Sequence, residues 1–125
     1  MRYFLAALLL FAAAGPLVAE EPGNVVSLVV DYGDGVQKHF TQLEWREKMT
    51  VEDALNQAAA HPRGIRIETR GRADTAFLTA IDDVKNEGSG RNWLYKVNGE
   101  KADRSIGIMP LSAGDAVLWE FRAFR

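Results

Sequence analysis

Residues 92–100, NWLYKVNGE, decide how the rest of the chain is read. Side chains on a strand alternate between its faces, so Trp93, Tyr95 and Val97 share one side. The run ends at Asn98-Gly99, a pair suited to the positive φ that a two-residue hairpin turn demands. The stretch therefore predicts a strand with an aromatic face and a tight reversal behind it.

Working outward, other segments repeat the pattern. VVSLVVDY (25–32) is rich in β-branched residues, GDG (33–35) supplies a turn, and VQKHFTQL (36–43) predicts the antiparallel partner. IRIETR (65–70) alternates, with Ile65, Ile67 and Thr69 on one face and Arg66, Glu68 and Arg70 on the other. AFLTAIDDV (76–84) predicts a strand running into an acidic turn. LSAGD (111–115) is a turn before a last strand, AVLWEF (116–121). One segment departs from this period. Thr50 is placed to cap a helix over Val51–Ala60, with Glu52 and Asp53 against its positive end. HPRG (61–64) stops it, because Pro62 forces His61 out of helical geometry. Hairpins with one helix covering a sheet face make an α+β domain. The order resembles a β-grasp, with a mixed, curled sheet of about five strands packed on one helix.

The 125 residues have room for one such domain, over 24–125. Before it, Met1-Arg2 and the apolar run Tyr3 to Ala14, broken by Gly15-Pro16, read as a signal peptide over 1–19 with cleavage after Ala19. The expected product is exported, to the periplasm or outside the cell, with no membrane span in the mature chain. Without cysteine there is no disulfide, thiol nucleophile or thiolate metal site, and the core alone must hold the fold. Loss of Arg2 leaves 14 basic against 17 acidic residues, which is not a nucleic-acid binder's balance.

Three stretches carry a resemblance by their order and spacing: MTVEDAL (49–55), FLTAIDDVKNEGSGRNWLYKVNGE (77–100) and LSAGDAVLWEF (111–121). Together they resemble the uncharacterised bacterial family related to the C-terminal β domain of transcobalamin and intrinsic factor. That family is similar in turn to the soluble-ligand-binding β-grasp domains. In the vitamin B12 carriers this domain closes over one face of the corrinoid, and a helical barrel holds the other. The resemblance implies a corrinoid (cobalamin) as ligand and places the ligand-facing hairpin at Gly88–Trp93. These 125 residues contain no such barrel, and Asn92 stands where the carriers tend to have an aromatic.

The candidate ligand-binding residues are accordingly Gly88, Gly90, Arg91, Asn92 and Trp93. The glycines permit close backbone approach, Arg91 and Asn92 offer donors, and Trp93 offers a ring edge or support. A further contribution is expected from the loop Ser105–Ile108. The plain alternative for 86–92 is a hairpin connection. Trp93 and Trp119 sit among apolar same-face neighbours and are expected in the core, whereas Trp45, in the polar run LEWREK (43–48), is either an exposed contact or a lid. Arg63, Arg66, Arg70 and Arg72 form either an anion stripe or a solvated face paired through Glu68. Asp82-Asp83 with Glu87, and DYGDG (31–35), read as polar turns. His39 and His61 have no partners at a nucleophilic or zinc spacing, so no catalytic residue and no metal are assigned and an enzyme is not expected. The alternative to a small-ligand module is a protein-interaction module that docks by a sheet edge or by Trp45.

Overall fold

The structure, a computed structural model, describes residues 24–124; the leader expected over 1–19 lies outside the described residues. In chain order the elements are β1 (Val25–Asp31), β2 (Gln37–Glu44), α1 (Val51–Ala60), β3 (Ile67–Arg70), a 3-10 turn (Ala73–Thr75), β4 (Phe77–Ile81), β5 (Val84–Lys85), β6 (Arg91–Val97), β7 (Glu100–Lys101) and β8 (Ala116–Ala123). This is a mixed α+β domain, mostly strand with one α-helix.

Five strands form the larger sheet, in the order β2-β1-β8-β6-β7. The first and last strands lie side by side at its centre and run parallel, with Leu28 opposite Val117 and Val30 opposite Trp119. The other pairings are antiparallel. Alternation buries Val26, Leu28 and Val30 from β1, and Val117, Trp119 and Phe121 from β8. Trp93 and Val97 of β6 join them on the same face, with Tyr95 half-buried between. At the predicted hairpin, Asn98 (φ 52°) and Gly99 (φ 83°) both take left-handed backbone and return the chain as β7.

The helix covers the inward face. Val51, Ala54, Leu55 and Ala58 are buried, a spacing of three and four residues that makes one narrow stripe. Thr50 caps it reciprocally. Its hydroxyl accepts from the Asp53 N–H at 3.3 Å, while the Asp53 carboxylate accepts from the Thr50 N–H at 2.9 Å. His61 is extended, ψ 145°, as the following proline requires.

The sheet assignment needs one correction to the expected single sheet. β3 and β4 do not enter the larger sheet; with β5 they form a separate three-stranded antiparallel sheet. Asp82 (φ 49°) and Asp83 (φ 69°) reverse the chain tightly, at the acidic turn expected there, and β5 runs back along β4. The fifth strand of the larger sheet is instead the short β7. Trp45 is the lid, not an exposed contact: it is half-buried against the core, and its indole N–H donates to Leu111 O at 2.9 Å.

Candidate functional site

The loop before β6 closes on itself. The Asn92 side chain accepts from the Gly88 N–H at 2.8 Å and donates to Gly88 O at 2.9 Å. Glu87 accepts from the Arg91 N–H at 2.6 Å, and the Glu87 N–H donates to Arg91 O at 2.8 Å. Arg91 and Asn92 are neighbours on a strand, so their side chains leave on opposite faces. The Arg91 guanidinium lies over the Phe121 ring, 4.9 Å from its centroid. Trp93 is 5% exposed, and its indole N–H donates to Val84 O at 2.8 Å. Gly88 and Gly90 remain at the exposed tip. The structure thus brings the five residues together in sequence but aims them at different partners.

A cavity lies beside this loop, around the edge of β6. Among the described residues, 92–95 pair with β8 on one side and with no strand on the other, because β7 reaches only Lys96 and Val97. Asn86 covers part of that edge by accepting from the Trp93 N–H at 2.8 Å, and the Ala102 N–H donates to Tyr95 O at 3.4 Å. Between them the edge and β4 leave a notch of about 260 Å³. Leu78, Leu94, Ile106 and Trp119 contribute apolar wall, and Phe77 and Phe124, 50% and 75% exposed, form its lips. Trp93, Ser105 and Ile106, expected at a site from sequence, all line it; Gly88, Gly90, Arg91 and Asn92 do not.

The wall is fixed by hydrogen bonds. Ser105 Oγ lies 2.7 Å from Ala73 O and 2.6 Å from Ala76 O, and accepts from the Gly107 N–H at 3.1 Å. The Tyr95 hydroxyl donates to Arg104 O at 2.7 Å. Burial, with Asp103 nearby and Arg104 opposing, pushes that phenol up to about 12, so it stays a neutral donor at physiological pH. Sequence reading missed the β4 side and the basic residues Lys96, Lys101, Arg104 and Arg122. Only the alternation placing Lys96 and Arg122 opposite the aromatic face was a signal for them.

The remaining candidates resolve into structural roles. Arg66 pairs at 2.9 Å with Asp83, not with Glu68, and both side chains are largely exposed. In DYGDG, Asp31 and Asp34 accept from the Gly33 and Val36 N–H groups, as polar turns do. His39 meets Gln37, and His61 accepts from the Arg63 N–H. Among the described residues there is no group of three or more His, Cys, Asp or Glu side chains arranged to hold a metal ion. Nor is any described helix long and apolar enough to cross a membrane.

Comparison with known proteins places these elements in a wider group. The family described as "Domain of unknown function (DUF4430)" matches residues 49–123, from the helix cap to the end of β8. No curated protein matches the chain. The chain is similar in fold to a protein from Ruminococcus gnavus ATCC 29149, solved at 1.30 Å and described as a "putative metal binding protein". The two are 18% identical with a TM-score of 0.61, and the match covers 80% of this chain and 97% of that one. At that identity the likeness carries the fold.

Proposed function

This chain belongs to the DUF4430 family, and from that premise we propose that it is an exported, non-enzymatic binding domain whose small-molecule ligand enters the notch at the β6 edge. The observation that carries the reading is the notch itself. A mostly apolar concavity with a few polar groups at its rim is the usual form of a small-ligand site. At about 260 Å³ it is slightly smaller than cavities that enclose a drug-sized molecule. It therefore suits a compact ligand, or one projecting part of a larger one.

The resemblance to the transcobalamin β domain supplies the finer reading, a corrinoid. The hairpin–helix–strand order, with first and last strands parallel at the sheet centre, resembles that of a β-grasp and is consistent with this reading. A corrin ring is too broad for the notch, so it would rest on the Gly88–Gly90 tip while a peripheral arm entered beside Leu94. A second reading, docking of a partner protein, has its own observation. β2 is the outer strand of the larger sheet, and His39, Thr41, Gln42 and Glu44 are exposed along it, an arrangement open to strand addition.

The test is a fluorescence titration of the purified protein with a cobalamin and with an incomplete corrinoid, using free tryptophan to correct for absorption. Saturable quenching by micromolar ligand, lost in Leu94→Glu, is the expected result. Quenching identical to free tryptophan overturns the corrinoid reading. Loss of an isolated partner protein in β2 variants, with the notch variant unaffected, would favour docking.

A further inference from the structure

The backbone of β6 faces two ways. Asn92, Leu94 and Lys96 turn their N–H and C=O groups to β8, in the phase set by the Asn98 N–H, which donates to Ala116 O at 2.8 Å. In antiparallel pairing both groups of one residue share a side. Arg91, Trp93, Tyr95 and Val97 therefore present theirs to the opposite edge. Most of these are engaged. Arg91 meets Glu87 through both groups, the Trp93 N–H donates to Asn86 Oδ1 at 2.8 Å, and Tyr95 O accepts from the Ala102 N–H at 3.4 Å. Val97 pairs with Glu100 of β7. The Trp93 C=O and the Tyr95 N–H, on either side of Leu94, have no partner among the described residues.

This gap opens on the notch, which Trp93, Leu94 and Tyr95 all line. Trp93 is buried and Tyr95 half-buried, a setting in which backbone groups need partners. In parallel pairing, one residue of an added strand donates to the C=O before its opposite number and accepts from the N–H after it. A peptide residue lying parallel to β6 and opposite Leu94 would thus satisfy both groups. The positions beyond it are closed. Extension one way needs Arg91 O and the Trp93 N–H, and the other way Tyr95 O and the Val97 N–H, all of them engaged. The open edge is one residue long, too short for strand addition by a whole protein. Residues opposite each other in a sheet project to the same face, so the occupant's side chain falls beside Leu94. The exposed rings of Phe77 and Phe124 extend that apolar lining.

We propose that the notch takes an acylated amino acid, or an equally short peptide, with an apolar side chain. Its N–H donates to Trp93 O, its C=O accepts from the Tyr95 N–H, and its side chain packs on Leu94 between the two phenylalanines. This inference rests on the notch being a small-ligand site, and is separate from the corrinoid reading.

The test is a ¹H–¹⁵N NMR titration with N-acetyl-L-leucinamide, its Nα-methyl analogue, which lacks the donor, and N-acetylglycinamide, which lacks the side chain. Before any addition, the Tyr95 amide should exchange with solvent faster than that of Trp93. Leucinamide is expected to shift the Tyr95 amide proton downfield, saturably at millimolar concentration, and to slow its exchange. Nα-methylation should weaken binding about two- to tenfold, and loss of the side chain about tenfold. Equal binding of leucinamide and its methyl analogue, with the Tyr95 amide unmoved, overturns the backbone pairing and leaves the notch a small-ligand site. Absence of shifts at every notch residue overturns the peptide class, and the small-ligand reading then stands or falls by the cobalamin titration.

Discussion

Asp82 accepts from the Tyr32 hydroxyl, from the Lys38 ammonium at 3.0 Å and from the Arg66 N–H at 2.9 Å. One carboxylate therefore ties the end of β1, the start of β2 and the approach to β3 to the β4–β5 turn. Burial alone would raise its pKa. The hydrogen bonds from Tyr32, the Arg66 backbone and Lys38 outweigh it, so the carboxyl is held below its ordinary 3.8. A lowered folded value means the contribution is fully present above the unfolded pKa and is lost as pH falls through the folded one. Asp82→Asn is expected to cost about 1.5–3 kcal/mol at pH 7, the range for hydrogen bonds to a charged group. Urea unfolding of both proteins checks this, and the gap between them should narrow below about pH 4. Sequence reading assigned Asp82-Asp83 to a polar turn and was right about the backbone. It had no means to see that a turn 50 residues from Tyr32 would meet it.

At the scale of elements, the hairpin β1–β2 depends on Gly33. Its φ is +81°, and a Cβ placed there would sit 2.5 Å from Phe121 O at the end of β8. The turn is therefore close-packed on a strand almost 90 residues away in sequence, as well as strained for any L side chain. Gly33→Ala is expected to destabilise by more than about 1 kcal/mol, read as a lower urea midpoint. Amide exchange should quicken at the β1–β2 turn and at Phe121. A merely local turn would leave Phe121 unchanged. The sequence marked Gly33 as a turn residue because GDG separates two runs that read as antiparallel strands; the second reason for the glycine lies in packing. The same division holds at β6. Alternation foresaw that Trp93 faces inward, but the capture of Gly88 by Asn92 rests on a loop closure that residue types alone do not specify.

Across the whole molecule, an aromatic cluster ties three strands of the larger sheet, β1, β6 and β8, into the core. Tyr32 meets Trp93 edge-on at 5.7 Å, Trp93 meets Phe121 at 5.2 Å, and Tyr95 lies 4.9 Å from Trp119. Burial raises the Tyr32 phenol above its ordinary 10.0, with the Asp82 hydrogen bond and charge adding to it, and carries Tyr95 to about 12. A raised folded pKa stabilises the fold fully below the unfolded value and loses that contribution as pH rises through the folded one. Thermal stability is therefore expected to fall from about pH 10 upward. Tyr32→Phe and Tyr95→Phe together should flatten that decline; an unchanged slope would show that these phenols do not control it.

The sequence by itself determined the local decisions: the Asn98-Gly99 reversal, the helix Val51–Ala60 with its Thr50 cap, and the inward aromatic face of β6 and β8. Each follows from steric limits on φ, capping chemistry or side-chain alternation, which act within a few residues. Tertiary structure decided which sheet each strand joined, sending β3 and β4 to a second sheet and recruiting β7 to the first. Partner choice depends on packing against distant neighbours more than on intrinsic strand preference. The notch belongs to the same class. Its wall draws on 76–78, 93–96, 101–106 and 119–124, segments that meet only after β6 pairs with β8 and leaves its other edge open.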